Sequence, residues 1–290
     1  MRRWAVASFV LACGLPEEGL LTTTTPDSGP DVVVQDVAAQ DVVEEEEASV
    51  ADVPVVPDAP PDAPAIISAG SALQFKGNYV DMGAIPIPGD FTIEAWIHPA
   101  SATGETYIVA EDERNQGDGQ FRLGLADGGK LFFMMSDSSG ASHGLFNNGY
   151  ALETANAITI GVWTHVAVVK NGAAFALTVN GAPAATFTAS ASFVHGGPAV
   201  NFRVAARVDT NGTASNGTFD GIIDEVRLWS APRSAAEIAK TMSTEIPATS
   251  PNLFAYWRFD EGTGQTAGDD ETGYPGTLVN NPTWVTSTAF

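Results

Sequence analysis

Cysteine, basic side chains and long apolar runs are all scarce in this sequence, and each shortage excludes something. One Cys in 290 residues leaves no internal disulfide to staple the chain. Lys and Arg number 13 against 35 Asp and Glu, a formal net charge of -22 that repels phosphate backbones and anionic lipid surfaces, so no nucleic-acid partner is expected. No apolar run approaches the roughly 20 residues that cross a bilayer. With only four histidines, a Ser-His-Asp triad has little support. Residues 14–65 hold 13 of the 35 acids, no Lys or Arg and no aromatic residue, and the prolines and unpaired like charges of that segment oppose burial. The chain as a whole is 44% hydrophobic, and the material for a core lies beyond that segment.

The N-terminus reads as an export signal. Arg2 and Arg3 precede the short apolar run Trp4 to Ala12, and the single Cys follows at once in "VLACG". The arrangement resembles a bacterial lipoprotein lipobox, with residues 1–12 as signal peptide and Cys13 as the lipidated residue. Leu11 is bulkier than the small residue usual at that place, and an ordinary signal peptide is the alternative. Either reading takes the protein out of the cytoplasm. Lipidation would hold it at the cell envelope, at the outer membrane or cell surface, through the lipid alone. Residues 13–65, acidic and rich in Val, Ala and Pro, are expected to form an extended, self-repelling, disordered stalk.

From Ile66 the texture changes to short apolar and aromatic runs separated by Gly, Asn, Asp and Pro. "FTIEAWIHP", "KLFFMMSD", "WTHVAVVKNG" and "FALTVNG" show strand-like content or period-2 alternation. "NG" at 171 and 180 and "DG" at 127 and 220 are turn or hairpin signals. One stretch, "APRSAAEIAKTM", instead opens a short helix: Ser234 caps it and Glu237 completes a capping box. Many strands and one helix predict an all-β antiparallel sandwich over residues 66–290. In "WTHVAVVKNG", apolar residues on both faces mark an internal strand, and His165 reads as a satisfied core histidine rather than a base. Trp96, Trp163, Trp229 and Trp257 lie in apolar runs, so each is expected in the core before it is expected under a sugar.

"FDGIIDEVRLW" (residues 219–229) gathers three acids. Strand parity sets Asp220, Ile222, Asp224, Val226 and Leu228 on one face, taken as the core side, and turns Glu225 away beside Arg227, where a modest ion pair suffices. A core-side Asp224 calls for a cation or backbone N–H donors.

The runs "ALQFKGNYVDMG", "FTIEAWIHP", "WTHVAVVKNGAAFALTVNG", "FDGIIDEVRLWSAPRSAAEI" and "LFAYWRFDEGTGQTAGDDETGYPGTLVNNPTW" occur in the order found in laminin-G-like domains of the concanavalin A-like lectin/glucanase superfamily. The resemblance covers about residues 68–286. It implies a jelly roll of two antiparallel sheets with ligands on a concave face or along its rim. It also implies a structural calcium at Asp224, helped by backbone carbonyls near Gly77 and by Asp220; the alternative is that Asp224 only caps turn amides.

The related glucanases carry their carboxylates on one strand as E-x-D-x-x-E, and no such string occurs here. The Asp-box repeats of sialidases are absent too. The polar segments 110–119, 136–150 and 207–218 are the better guides to a ligand surface. Phe146 or Tyr150 would supply a ring there, with Asn147, Asp137 and Arg114 as polar partners. The sequence thus predicts a monomeric, non-catalytic binding or adhesion module for a glycan or protein ligand. A glycoside hydrolase and a purely structural surface protein are the alternatives.

Overall fold

A computed structural model describes residues 70–111, 113–114, 121–136, 141–142, 145, 151–191, 200–209, 217–270 and 273–290. The strands in chain order are β1 (Ser71–Lys76), β2 (Tyr79–Ala84), β3 (Phe91–Pro99), β4 (Thr106–Glu111), β5 (Glu113–Arg114) and β6 (Phe121–Leu125). There follow β7 (Lys130–Met135), β8 (Leu152–Ala157), β9 (Thr164–Asn171), β10 (Ala174–Val179), β11 (Ala182–Thr188), β12 (Asn201–Val204) and β13 (Val208–Asp209). After β14 (Asp220–Trp229) comes the helix α1 (Ala235–Thr241), then β15 (Leu253–Trp257), β16 (Thr266–Ala267), β17 (Gly276–Val279) and β18 (Thr283–Thr286).

Two antiparallel sheets of 8 strands each form a sandwich. The first runs β11-β10-β9-β3-β14-β1-β18, with β15 also beside β14; the second runs β16-β17-β2-β12-β4-β6-β7-β8. Alternation explains the core: Phe91, Ile93, Ala95 and Ile97 of β3 point inward with Val166 and Val168 of β9, against Leu123, Phe133 and Phe202 of the second sheet. The rings of Phe91, Phe121 and Phe133 meet with centroids 5.9 to 6.3 Å apart, one pair tilted, one edge-on and one stacked, and such contacts add to the burial of their area.

The local signals act as expected at most positions. Asn180 and Gly181 both adopt positive φ between β10 and β11, the requirement of a two-residue hairpin turn. Ser234 caps α1 and accepts the Glu237 amide at 3.2 Å, while Glu237 Oε2 accepts the Ser234 amide at 2.7 Å. Strand β9 lies between β10 and β3, hence inside its sheet. The "DG" at 220 marks no hairpin, because Asp220 and Gly221 begin β14. Gly221 is needed for space: a Cβ there would come 2.4 Å from the His98 carbonyl oxygen, and its φ is +149°.

Candidate functional site

Strand β14 does not keep one parity. Asp224 pairs with Trp96 of β3 and Arg227 pairs with Glu94, so one extra residue is accommodated between them. Glu225 absorbs it with a φ of +53°. Before the bulge the odd residues Phe219 and Ile223 enter the core, and after it the even residues Val226 and Leu228 do. The expected core-side face is therefore wrong in its first half. Ile222 and Asp224 point out of the sandwich, on the same side as Arg227 and Trp229.

From Asp224 onward that outer side is not solvent. The segment around α1 and the residues from Ser287 onward cover it, and beneath them lies a group of buried charges. Glu94, fully buried, meets Arg233 Nη1 at 2.6 Å and His165 Nε2 at 3.3 Å, and accepts the Trp229 indole N–H. Arg227, also fully buried, meets Glu225 Oε2 at 2.6 Å and donates to the carbonyls of Thr241 at 3.1 Å and Thr244 at 2.9 Å, which ties it to the C-terminal end of α1. The Glu225–Arg227 pair is thus an interior bond rather than the modest surface pair expected. The Tyr256 hydroxyl donates to Glu225, and the Arg233 guanidinium lies 4.0 Å from the Trp229 ring centroid.

Burial pushes all of these carboxyls up, and their partners decide whether it wins. Burial pushes the Glu94 carboxyl up, but the hydrogen bond and charge of His165, with Arg227 and Arg233, outweigh it and hold the carboxyl below its usual range. Glu225 is raised, since burial exceeds the pull of Arg227 and Tyr256. Asp224 is pushed up to about 8 by burial, opposed by the Ser287 hydrogen bond and reinforced by the Glu225 charge.

Asp224 accepts the Glu225 amide at 2.9 Å through one oxygen and the Ser287 hydroxyl through the other. Asp220 lies four residues back along the strand, roughly 13 Å away, and pairs with Lys76, the neighbour of Gly77. The three residues expected to share calcium therefore sit at two places. Among the described residues, no group of three or more His, Cys, Asp or Glu side chains gathers as a metal cage.

The outer face of the second sheet differs. Tyr107, Gly124 and Phe132 form one row across β4, β6 and β7, and Ala110, Arg122 and Met134 form the next. Tyr107 and Phe132 are buried there, and the Tyr107 hydroxyl donates to Glu105. A Cβ on Gly124 would come 2.1 Å from the Thr106 carbonyl oxygen and 3.0 Å from the Phe132 ring, so the position has room for glycine alone. The register sets Glu111, Phe121 and Met135 side by side at one end of these strands. In the chain, Phe121 directly follows residues 115–120, Met135 precedes residues 137–150, and Asp209, which pairs with Arg114, precedes residues 210–216. Arg114 is thereby placed in β5. Phe146, Tyr150, Asn147 and Asp137, like Cys13, lie outside the described residues.

The family model of the concanavalin A-like lectin/glucanases superfamily matches residues 74–239, more than half of the chain. The chain belongs to this superfamily. Among solved structures, this superfamily member is similar to a candidate carbohydrate-binding protein from Bacteroides ovatus ATCC 8483, at 20% identity and a TM-score of 0.58, over 77% of this chain and 61% of that one. It is also similar to the native heptameric SAP-like pentraxin of Limulus polyphemus, at 15% identity and a TM-score of 0.54, over 76% of this chain and 97% of that one. At these identities the likeness is one of fold. No curated protein matches the chain.

Within a superfamily that includes glucanases, the buried acids invite a catalytic reading, and their surroundings oppose it. Glu94 and Glu225 are each held by an arginine beneath α1, out of reach of a polymer. Tyr256 touches a carboxylate as a nucleophilic tyrosine would, but it is fully buried and its hydroxyl is pushed well above the usual range by burial. Trp163 was missed as a surface residue. It sits just before β9, half-buried, with its indole N–H on Thr288 Oγ1 at 3.0 Å, whereas Trp229 and Trp257 are interior and Trp96 is covered by the Phe290 ring.

Proposed function

We propose that this protein is an exported, lipid-anchored surface module whose jelly roll binds carbohydrate without cleaving it. One observation carries the reading: the strand register of the second sheet brings the starting points of three polar segments, 115–120, 137–150 and 210–216, to one end of the face that bears Tyr107, Arg122 and Phe132. Ligand surfaces are commonly carried on polar segments that leave a rigid scaffold together, and the buried Tyr107 and Phe132 rings serve here as part of that scaffold. The superfamily and the likeness to the Bacteroides ovatus protein agree with a sugar ligand. The arginine-held state of Glu94 and Glu225 supports binding over hydrolysis, since a glycosidase needs an acid and a base open to the same bond.

A glycan array with the full chain tests the reading. Binding to at least one glycan is expected; silence on every glycan together with capture of a protein partner would replace it. Anchoring is tested separately, because Cys13→Ala is expected to release the protein from membranes, and retention in the membrane fraction would remove the lipid anchor.

A further inference from the structure

On the outer face of the first sheet, the residues from Ser287 to Phe290 run across one row of side chains. Ser287 reaches Asp224, and the Phe290 ring lies 6.0 Å from the Trp96 ring. Among the described residues, the next row along the strands has no such cover. The register aligns Thr283 with Gln74, Gln74 with Ile222, and Ile222 with His98, and Trp163 continues the line with its ring centroid 5.4 Å from that of His98. Thr283 and Gln74 are exposed; Ile222, His98 and Trp163 are half-buried. Five positions at the spacing of neighbouring strands make a floor roughly 19 Å long, and the segment from Ser287 to Phe290 forms a rim along one side.

We propose that this row is a second binding surface and that it takes an uncharged, extended polysaccharide. The proposal rests on the carbohydrate-binding reading above but concerns the opposite sheet. Its chemistry changes along its length, from hydroxyl and amide at Thr283 and Gln74 to Ile222, the imidazole of His98 and the indole of Trp163. Sugar rings ask for that mixture, with C–H faces for an aromatic ring and hydroxyls for side-chain donors and acceptors.

Other occupants fit less well. A peptide strand needs the open backbone of a sheet edge, and a sheet face offers side chains only. A lipid surface needs an extended apolar patch, and here the apolar side chains stop at Ile222, with the exposed Gln74 and Thr283 taking the rest of the row. Charge complementarity selects the uncharged polymer: the row contains no carboxylate, Lys76 and Asp220 face each other beside it, and a chain of net charge -22 repels polyanions. The Trp163 ring is held in place by its bond to Thr288, so little ordering is left for binding to supply.

Affinity electrophoresis of the full chain through gels containing xylan, galactomannan or mixed-linkage β-glucan tests the row, with polygalacturonate gels and phosphatidylglycerol vesicles as the charged arms. At least one neutral polymer is expected to retard the protein. Trp163→Ala should weaken that binding about tenfold, and Gln74→Ala, at an exposed position, about fivefold without change in the melting curve. Retardation that neither variant alters would overturn the row while leaving the carbohydrate reading intact. Binding confined to polygalacturonate or to vesicles, and weakened by the same variants, would overturn the choice of occupant. No retardation by any neutral polymer would also overturn it, and the glycan array then decides whether the broader reading survives.

Discussion

The two halves of β14 differ more from each other than many separate strands do. Its first half, Asp220–Ile223, lies between β3 and β1 and shows the outer side an isoleucine in an uncovered row. Its second half, Val226–Trp229, lies between β3 and β15 and shows the same side an arginine with no solvent contact. Both halves are extended backbone in one sheet, so conformation does not account for the contrast; what lies on top does. The second half is roofed by the segment carrying α1, and the arginine beneath is satisfied by that segment's carbonyls at Thr241 and Thr244. A buried charge of this kind is a poor source of net stability but an exacting condition on the roof, because losing one partner strands the other.

The contrast can be broken at its charged end. Arg227→Ala leaves Glu225 buried opposite a cavity, and a loss of about 3–5 kcal/mol is expected. Chemical denaturation measures it, and a loss no larger than that of an ordinary surface substitution would show that water reaches Glu225 after all. At the boundary between the halves the expected effect is one of pH. Folding raises the Asp224 carboxyl from 3.8 to about 8, so the folded state holds its proton more tightly. The stability this supplies is complete below pH 4 and is lost as pH rises through about 8. Asp224→Asn has no such proton, so the stability of the wild type relative to this variant should fall steadily from pH 4 to pH 8; a constant difference would mean that Asp224 is ionised throughout. Glu225, raised by burial, contributes with the same sign in both proteins. The smallest effect belongs to the open half, where Gln74→Ala should change stability by less than about 0.5 kcal/mol.

Most of the fold was legible in the sequence because its signals are local. Alternation in β3 and β9, the turn at Asn180–Gly181 and the Ser234–Glu237 box each depend on residues within a few positions of one another. The parity of β14 failed because nothing local announces its bulge: Glu225 is not a glycine, and the extra residue is fixed by pairing with β3, more than a hundred residues earlier. Alternation also says which side of a strand a residue takes, not what covers that side. Glu94 of β3 lies on the outward side of its strand, yet it is wholly buried beneath Arg233 and Trp229. Trp163 deceived in the opposite sense, since an apolar run continued past the point where the sheet's cover stops, next to the exposed Val162.

The bond from the Ser287 amide to the Gly70 carbonyl, at 2.9 Å, fixes where a pull on the domain would be felt. A tether drawn from the N-terminal side of Gly70 loads β1 along its own axis. That strand is bonded on one side to β14 and on the other to β18, so its hydrogen bonds bear the load together in shear instead of opening one after another. If the proposed anchor and polymer binding both hold, the attachment at β1 is mechanically the strong way to hang the sandwich.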